Sequence, residues 1–138
     1  PVAVSACLLG DDCRWDGRTK RHDGVVNGLA GVEQLRFCPE VEAGLGTPRE
    51  ASFLSADREG FVSRSGQDLT ETFDAGVARI EARLVEAGVR EIVVKERSPS
   101  CGLRRTSVMD APAPGPGRFT ARMIALGLQV RSEEDFIE

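Results

Sequence analysis

Four cysteines, Cys7, Cys13, Cys38 and Cys101, carry the strongest chemical signal in this 138-residue sequence. Thiolates are soft donors that suit zinc or an iron-sulfur cluster. The chain has one histidine, His22. Paired-His zinc sites, HExxH proteases and facial triads with two histidines are therefore impossible within it. The cysteines are spaced 6, 25 and 63 positions apart and lack the two close CxxC knuckles of a zinc ribbon, which weakens a closed four-cysteine zinc site without removing it. Each cysteine also has a plainer reading as a small buried hydrophobe. Persistent disulfides are not expected in a chain that reads as cytoplasmic.

Proton-handling groups accompany the sulfurs. Glu40 lies two residues after Cys38, Asp16 three after Cys13, and Ser98 and Ser100 just before Cys101. A substrate bound at a metal centre needs such neighbours. The same residues also suit ordinary loop duty: Asp16 and the serines can bond turn amides, and Glu40 can cap a helix or pair with an arginine. His22 reads as a surface residue or a local hydrogen-bonding partner, with an exposed general acid/base role as the alternative. Gly115-Pro116-Gly117, ahead of a helix, can offer amides to an anion, but it lacks the Walker spacing and any GxGxxG. Trp15 is the only tryptophan, placed either to shield a pocket or to anchor its loop.

The elements that must position these groups follow from hydrophobic pattern. Val2 to Ala6 reads as a buried strand running into Cys7 and a turn at Gly10. Asp11 to Gly24 is a long polar loop, after which Val26, Leu29, Ala30 and Val32 suggest a short helix. Leu35-Arg36-Phe37 forms a strand stopped at Pro39. Ser52–Ser55 and Gly60–Ser63 suggest a small hairpin. Phe73, Val77, Ile80 and Leu84 make one stripe of a helix over 70–87, with Asp68 and Glu71 as a capping pair and Gly88 as its stop. A doubly buried strand over 91–95 follows, then a turn-rich loop to Gly102. Residues 111–117 read as an irregular, mobile connection, 118–126 as a helix and 128–130 as a last strand. The alternation predicts a single three-layer α/β domain over residues 1–138, with a mainly parallel, Rossmann-like sheet and a small β-hairpin insertion. Cys7, Cys38 and Cys101 then each follow the carboxyl end of a strand, the edge where such sheets place ligands.

Composition narrows the partners. With 18 Lys and Arg against 22 Asp and Glu and a net charge of -4, no basic footprint for nucleic acid is present. No window is apolar enough to span a membrane, and the N-terminal residues lack a signal-peptide pattern. The expected setting is cytoplasmic and the expected partner a small molecule, with oligomeric state open.

Taken together, Val4-Ser5-Ala6-Cys7-Leu8-Leu9-Gly10, Cys13-Arg14-Trp15-Asp16-Gly17, Cys38-Pro39-Glu40-Val41, Thr47-Pro48-Arg49 and Lys95-Glu96-Arg97-Ser98-Pro99-Ser100-Cys101-Gly102 resemble the thiouracil desulfidase-like family of small bacterial iron-sulfur proteins. The resemblance runs over nearly the whole chain. It implies a 4Fe-4S cluster held by three cysteines and hydrolytic, non-redox removal of sulfur from a thiolated base or nucleoside, with release of hydrosulfide. Carried onto this chain, the implied ligands are Cys7, Cys38 and Cys101, with Cys13 able to displace one of them. Glu40 is the implied water activator, and Ser100, with Ser98 or Asp16, the implied proton relay. Trp15, the stretch Glu42-Ala43-Gly44-Leu45 and the segment Leu103 to Ser107 depart from the family pattern, so substrate identity is the least determined feature. The competing readings are a non-enzymatic metal- or sulfide-binding module, and a thiol-dependent or phosphate-binding enzyme using the glycine-rich helix start.

Overall fold

The structure, a computed structural model, describes residues 1–136. Along the chain run β1 (Val2–Ser5), a 3-10 turn (Ala6–Leu9), α1 (Asp23–Gly28), β2 (Gln34–Phe37), α2 (Pro39–Glu42), β3 (Ser52–Leu54) and β4 (Phe61–Ser63). They are followed by α3 (Thr70–Glu86), β5 (Glu91–Val94), β6 (Arg105–Val108), β7 (Ala111–Pro114), α4 (Arg118–Ala125), β8 (Gln129–Ser132) and a 3-10 turn (Glu133–Asp135).

Four strands form a parallel sheet in the order β2-β1-β5-β8. Val2 of β1 lies opposite both Gln34 and Glu91, so the three strands start level, and Ser5 sits opposite Phe37. The short apolar runs of β1 and β5, the two central strands, are buried on both faces, as parallel strands require, whereas β2 lies at the edge. Ala3, Ile92 and Val94 point into a large cluster with Phe73, Ile80 and Leu84 of α3 and Phe119 and Met123 of α4. Val4 and Val93, one residue out of phase, point into a second cluster with Leu8, Val25 and Leu29. Alternation along a strand thus sets two layers on opposite faces of the sheet, giving the expected three-layer α/β arrangement.

The hairpin is part of something larger. β3 and β4 pair antiparallel, β3 meets β6 in parallel at Leu54 and Val108, and β6 pairs antiparallel with β7, making a second four-stranded sheet in the order β4-β3-β6-β7. Residues 111–114, expected to be an irregular connection, are therefore its edge strand. Gly115 N–H donates to Arg104 O, and alternation then turns the positions of Pro112 and Pro114, which have no N–H, away from β6 toward the open edge, where proline is tolerated. Leu54 and Phe61 of this sheet join the same hydrophobic cluster as the parallel sheet, and Phe61 stacks on Phe73 with ring centroids 4.0 Å apart.

Two smaller expectations change. The short helix begins earlier than the apolar pattern suggested, at Asp23, because the His22 side chain caps it by accepting from Val25 N–H at 3.2 Å. Asp68 accepts from the amide and hydroxyl of Thr70 instead of forming a capping box with Glu71, and Leu69 is the residue that opens α3. Among the described residues no helix is long and apolar enough to cross a membrane.

Candidate active site

Level parallel strands deliver level carboxyl ends. Cys7 follows β1 on its 3-10 turn, Cys38 follows β2 and precedes Pro39 at the start of α2, and Cys101 lies in the loop after β5. All three, together with Cys13 from the long loop, line one cavity of about 230 Å³. All four thiols are free, with Cys7 and Cys101 buried and Cys13 and Cys38 partly so. The Cys13 carbonyl lies 3.8 Å from the Cys38 sulfur.

The thiols raise one another's cost of ionisation. Hydrogen bonding to Cys13, burial and the neighbouring Cys13 charge all push the Cys38 thiol far above its ordinary value. For Cys13 the bond with Cys38 pulls down, but Cys7, burial and the charges of Cys7 and Asp11 bring it up to about 11. Burial pushes Cys101 up to about 12, against the pull of the Ser100 and Ser5 hydroxyls. Groups this costly to ionise stay as neutral thiols unless a cationic centre binds them, since such a centre holds a coordinating thiol in its deprotonated form.

Beside the sulfurs runs a chain of oxygens. Glu40, on α2 and 7% exposed, accepts a hydrogen bond from Ser100 Oγ at 3.2 Å through Oε1, and Ser100 Oγ is 2.8 Å from Ser98 Oγ. Ser98 Oγ already accepts from the amides of Ser100 and Cys101, so the chain runs one way: Ser98 donates to Ser100, and Ser100 to Glu40. Glu40, Ser98 and Ser100 all line the cavity. Asp16 does not. Its carboxylate accepts from Arg18 N–H at 3.0 Å and pairs with Arg14, which closes its own turn. The spacing from Cys13 suggested a pocket residue, but the local turn uses the carboxylate first. Trp15 does line the cavity, with the Arg64 guanidinium 5.8 Å from its ring centroid.

Sequence reasoning assigned no role to Arg49 or Glu96, and both are central here. The Glu40 carboxylate is held at Oε2 by Arg49, with Nε at 2.9 Å and the second terminal nitrogen at 2.8 Å. Glu96, 2% exposed, accepts the amides of Leu103, Arg104 and Arg105 through Oε1 and the Arg104 guanidinium through Oε2. This buried carboxylate folds the loop that carries Cys101. Burial raises its pKa, but those amides and Ser132 outweigh burial and hold it below its ordinary value. The stability it contributes is then present above the ordinary carboxylate range and lost as pH falls through the lower folded value. Glu96→Gln should lower stability at pH 7 by about 1–3 kcal/mol, the scale of charge-assisted hydrogen bonds to buried groups. Its deficit against the parent should shrink toward pH 3, read by thermal melts across pH.

The start of α4 is occupied by protein. Gly117 N–H donates to Gly102 O, Arg118 N–H to Pro99 O, and Phe119 and Thr120 N–H to Ser100 O, while Thr120 Oγ1 donates to Cys101 O. The amides that the competing phosphate-binding reading would use instead hold the cysteine loop, which removes that reading. Gly117 is required by this approach, since a Cβ there would stand 2.7 Å from the Ser100 backbone. Gly117→Ala should cost about 1–3 kcal/mol through overpacking and displace Ser100 from Glu40; a melt paired with an assay of bound iron checks it.

The donor set fits an iron-sulfur cluster: four cysteines from separate segments line one cavity, and thiolates are the donors that hold such clusters. A polynuclear core can bridge such segments.

A cysteine-lined cavity at the carboxyl edge of a parallel sheet, with a carboxylate and paired hydroxyls on its wall, defines a small α/β protein whose site has the donor types that thiolate-bound metal chemistry uses. The chain belongs to the 2-thiouracil desulfurase family, whose model matches residues 2–135. It is 29% identical over 145 residues to YbbK of Bacillus subtilis (strain 168), an uncharacterized protein, covering 97% of this chain and 96% of that one. Among solved structures it resembles the 4Fe-4S-dependent thiouracil desulfidase TudS at 37% identity and a TM-score of 0.88, over 97% of this chain and 91% of that chain.

Proposed function

We propose that this protein is a 4Fe-4S-dependent desulfidase that converts a thiolated pyrimidine such as 2-thiouracil, with water, into the oxygenated base and hydrosulfide. The observation that carries the reading is the shared wall of one cavity: the cysteine thiols on one side of it, and the Glu40–Ser100–Ser98 chain beside Cys101. Cys7, Cys38 and Cys101 are the proposed ligands, supported by their place after three adjacent, level strands. Cys13 is the spare thiol. When bound, the cluster would supply Lewis acidity toward the thiocarbonyl sulfur.

The chain's own groups handle the rest. Glu40 Oε1 takes one proton of the attacking water, and as the carbon-sulfur bond breaks that proton passes by way of Ser100 to the departing sulfide, which leaves as hydrosulfide, while the hydroxyl left on the carbon releases the second proton to become the carbonyl. Trp15, which lines the cavity, offers an aromatic face for a planar ring. A cavity of about 230 Å³ suits a single base or nucleoside better than a polynucleotide, in line with the acidic net charge. The chain works as one domain, supported by the hydrophobic cluster common to both sheets, and in the cytoplasm, where a cluster with an exposed iron is protected. The test is sulfide and uracil release from 2-thiouracil by oxygen-free, iron-loaded protein: stoichiometric products support the assignment, and binding without turnover overturns it.

A further inference from the structure

The geometry points to Arg49 as a positioning residue that sets which oxygen of Glu40 works, an inference that rests on the reading of Glu40 as the base. Arg49 is 7% exposed at its side chain and spends its guanidinium on the site. Nε and one terminal nitrogen hold Glu40 Oε2, while the other terminal nitrogen donates to Cys13 O at 2.9 Å, Gly46 O at 2.8 Å and Thr47 Oγ1 at 3.2 Å. Its backbone N–H donates to Trp15 O at 2.7 Å. The two nitrogens converge on Oε2 and occupy it, which leaves Oε1, already accepting from Ser100 Oγ, as the oxygen available to the water of the proposed reaction. The same side chain ties the loop bearing Cys13 and Trp15 to that carboxylate. A lysine cannot fill both roles, because it lacks the planar fork.

A residue that acts through Glu40 must lose its influence when Glu40 does. The test is a double-mutant cycle with Glu40→Gln and Arg49→Met, in oxygen-free protein of matched iron content turning over 2-thiouracil. Arg49→Met should lower kcat by about 10–100-fold with KM within about threefold, a fraction of the general-base contribution. Added to Glu40→Gln, it should lower kcat by less than about threefold further. Arg49→Lys should recover only part of the loss. In cluster-free protein, Arg49→Met should melt lower than the Glu40→Gln/Arg49→Met double variant, because the single change leaves a buried carboxylate unpaired.

Losses that multiply across the cycle, a change confined to KM, or an Arg49→Met enzyme with full turnover beside an impaired Glu40→Gln would each overturn the inference alone. Full turnover in Glu40→Gln would instead overturn the base reading and carry this one with it. If Arg49→Met does not fold, Glu40→Gln against the double variant, neither holding a lone buried carboxylate, still decides whether Arg49 acts independently.

Discussion

Glu40→Gln should reduce turnover of 2-thiouracil by about 10²–10³-fold while leaving iron content unchanged, within the range a positioned general base supplies. Glutamine keeps the size of the side chain, its carbonyl oxygen staying with the two Arg49 donors and its amide nitrogen donating to Ser100 Oγ, but it cannot take up a proton. Because Glu40 touches no cysteine sulfur in the hydrogen-bond pattern and contacts Ser100 and Arg49 instead, the loss should fall on kcat more than on KM. Ser100→Ala should act in the same direction but less severely, since water can replace a hydroxyl in a relay more easily than an amide can replace a base. A Glu40→Gln protein with full iron and full turnover would remove the residue from the chemistry.

Cys7→Ala, Cys38→Ala and Cys101→Ala should each abolish iron retention, with all activity lost, while Cys13→Ala retains iron. The expectation follows from topology. Three of the thiols hang from the ends of β1 and β2 and from the short loop after β5, whose strands are neighbours in one sheet. Glu96 and the start of α4 fix the third loop from both sides. Cys13 is carried by a longer loop that is tied down through Arg49. The comparison is a clean one: iron and sulfide per chain in the four variants, side by side. Iron lost with Cys13→Ala and kept in one of the others would replace that residue by Cys13 in the ligand set.

Much of this arrangement was legible in residue order because its signals are local. β-branched runs at 2–5 and 91–94 mark strands buried on both faces, and the stripe from Phe73 to Leu84 marks α3. Once the sheet is parallel, the edge that gathers Cys7, Cys38 and Cys101 follows from chain direction alone. The second sheet was hidden for physical reasons. β6 reads Arg-Thr-Ser-Val, with little apolar alternation, and β7 reads Ala-Pro-Ala-Pro, whose prolines signal a loop unless their positions are known to face an open edge.

At the site, sequence spacing reached the residue types but not the contacts. Glu40 and Ser100 are 60 positions apart yet hydrogen-bonded, and no periodicity connects them. Asp16 misled in the opposite sense, being near Cys13 in sequence but committed to the Arg18 amide. Arg49 carried no signal beyond its place in Thr47-Pro48-Arg49, since a buried arginine in a turn cannot be told from a solvated one until its carboxylate is located. The tight start of α4 against Ser100 was likewise invisible, because a glycine required by another backbone looks the same in sequence as a glycine required by a turn.

The most direct measurement is the iron and acid-labile sulfide content of protein purified without oxygen. About four of each per chain, lost on replacing Cys38, is the predicted result. Colourless protein that takes up zinc or no metal after reconstitution with iron and sulfide would contradict a cluster-based site in this fold.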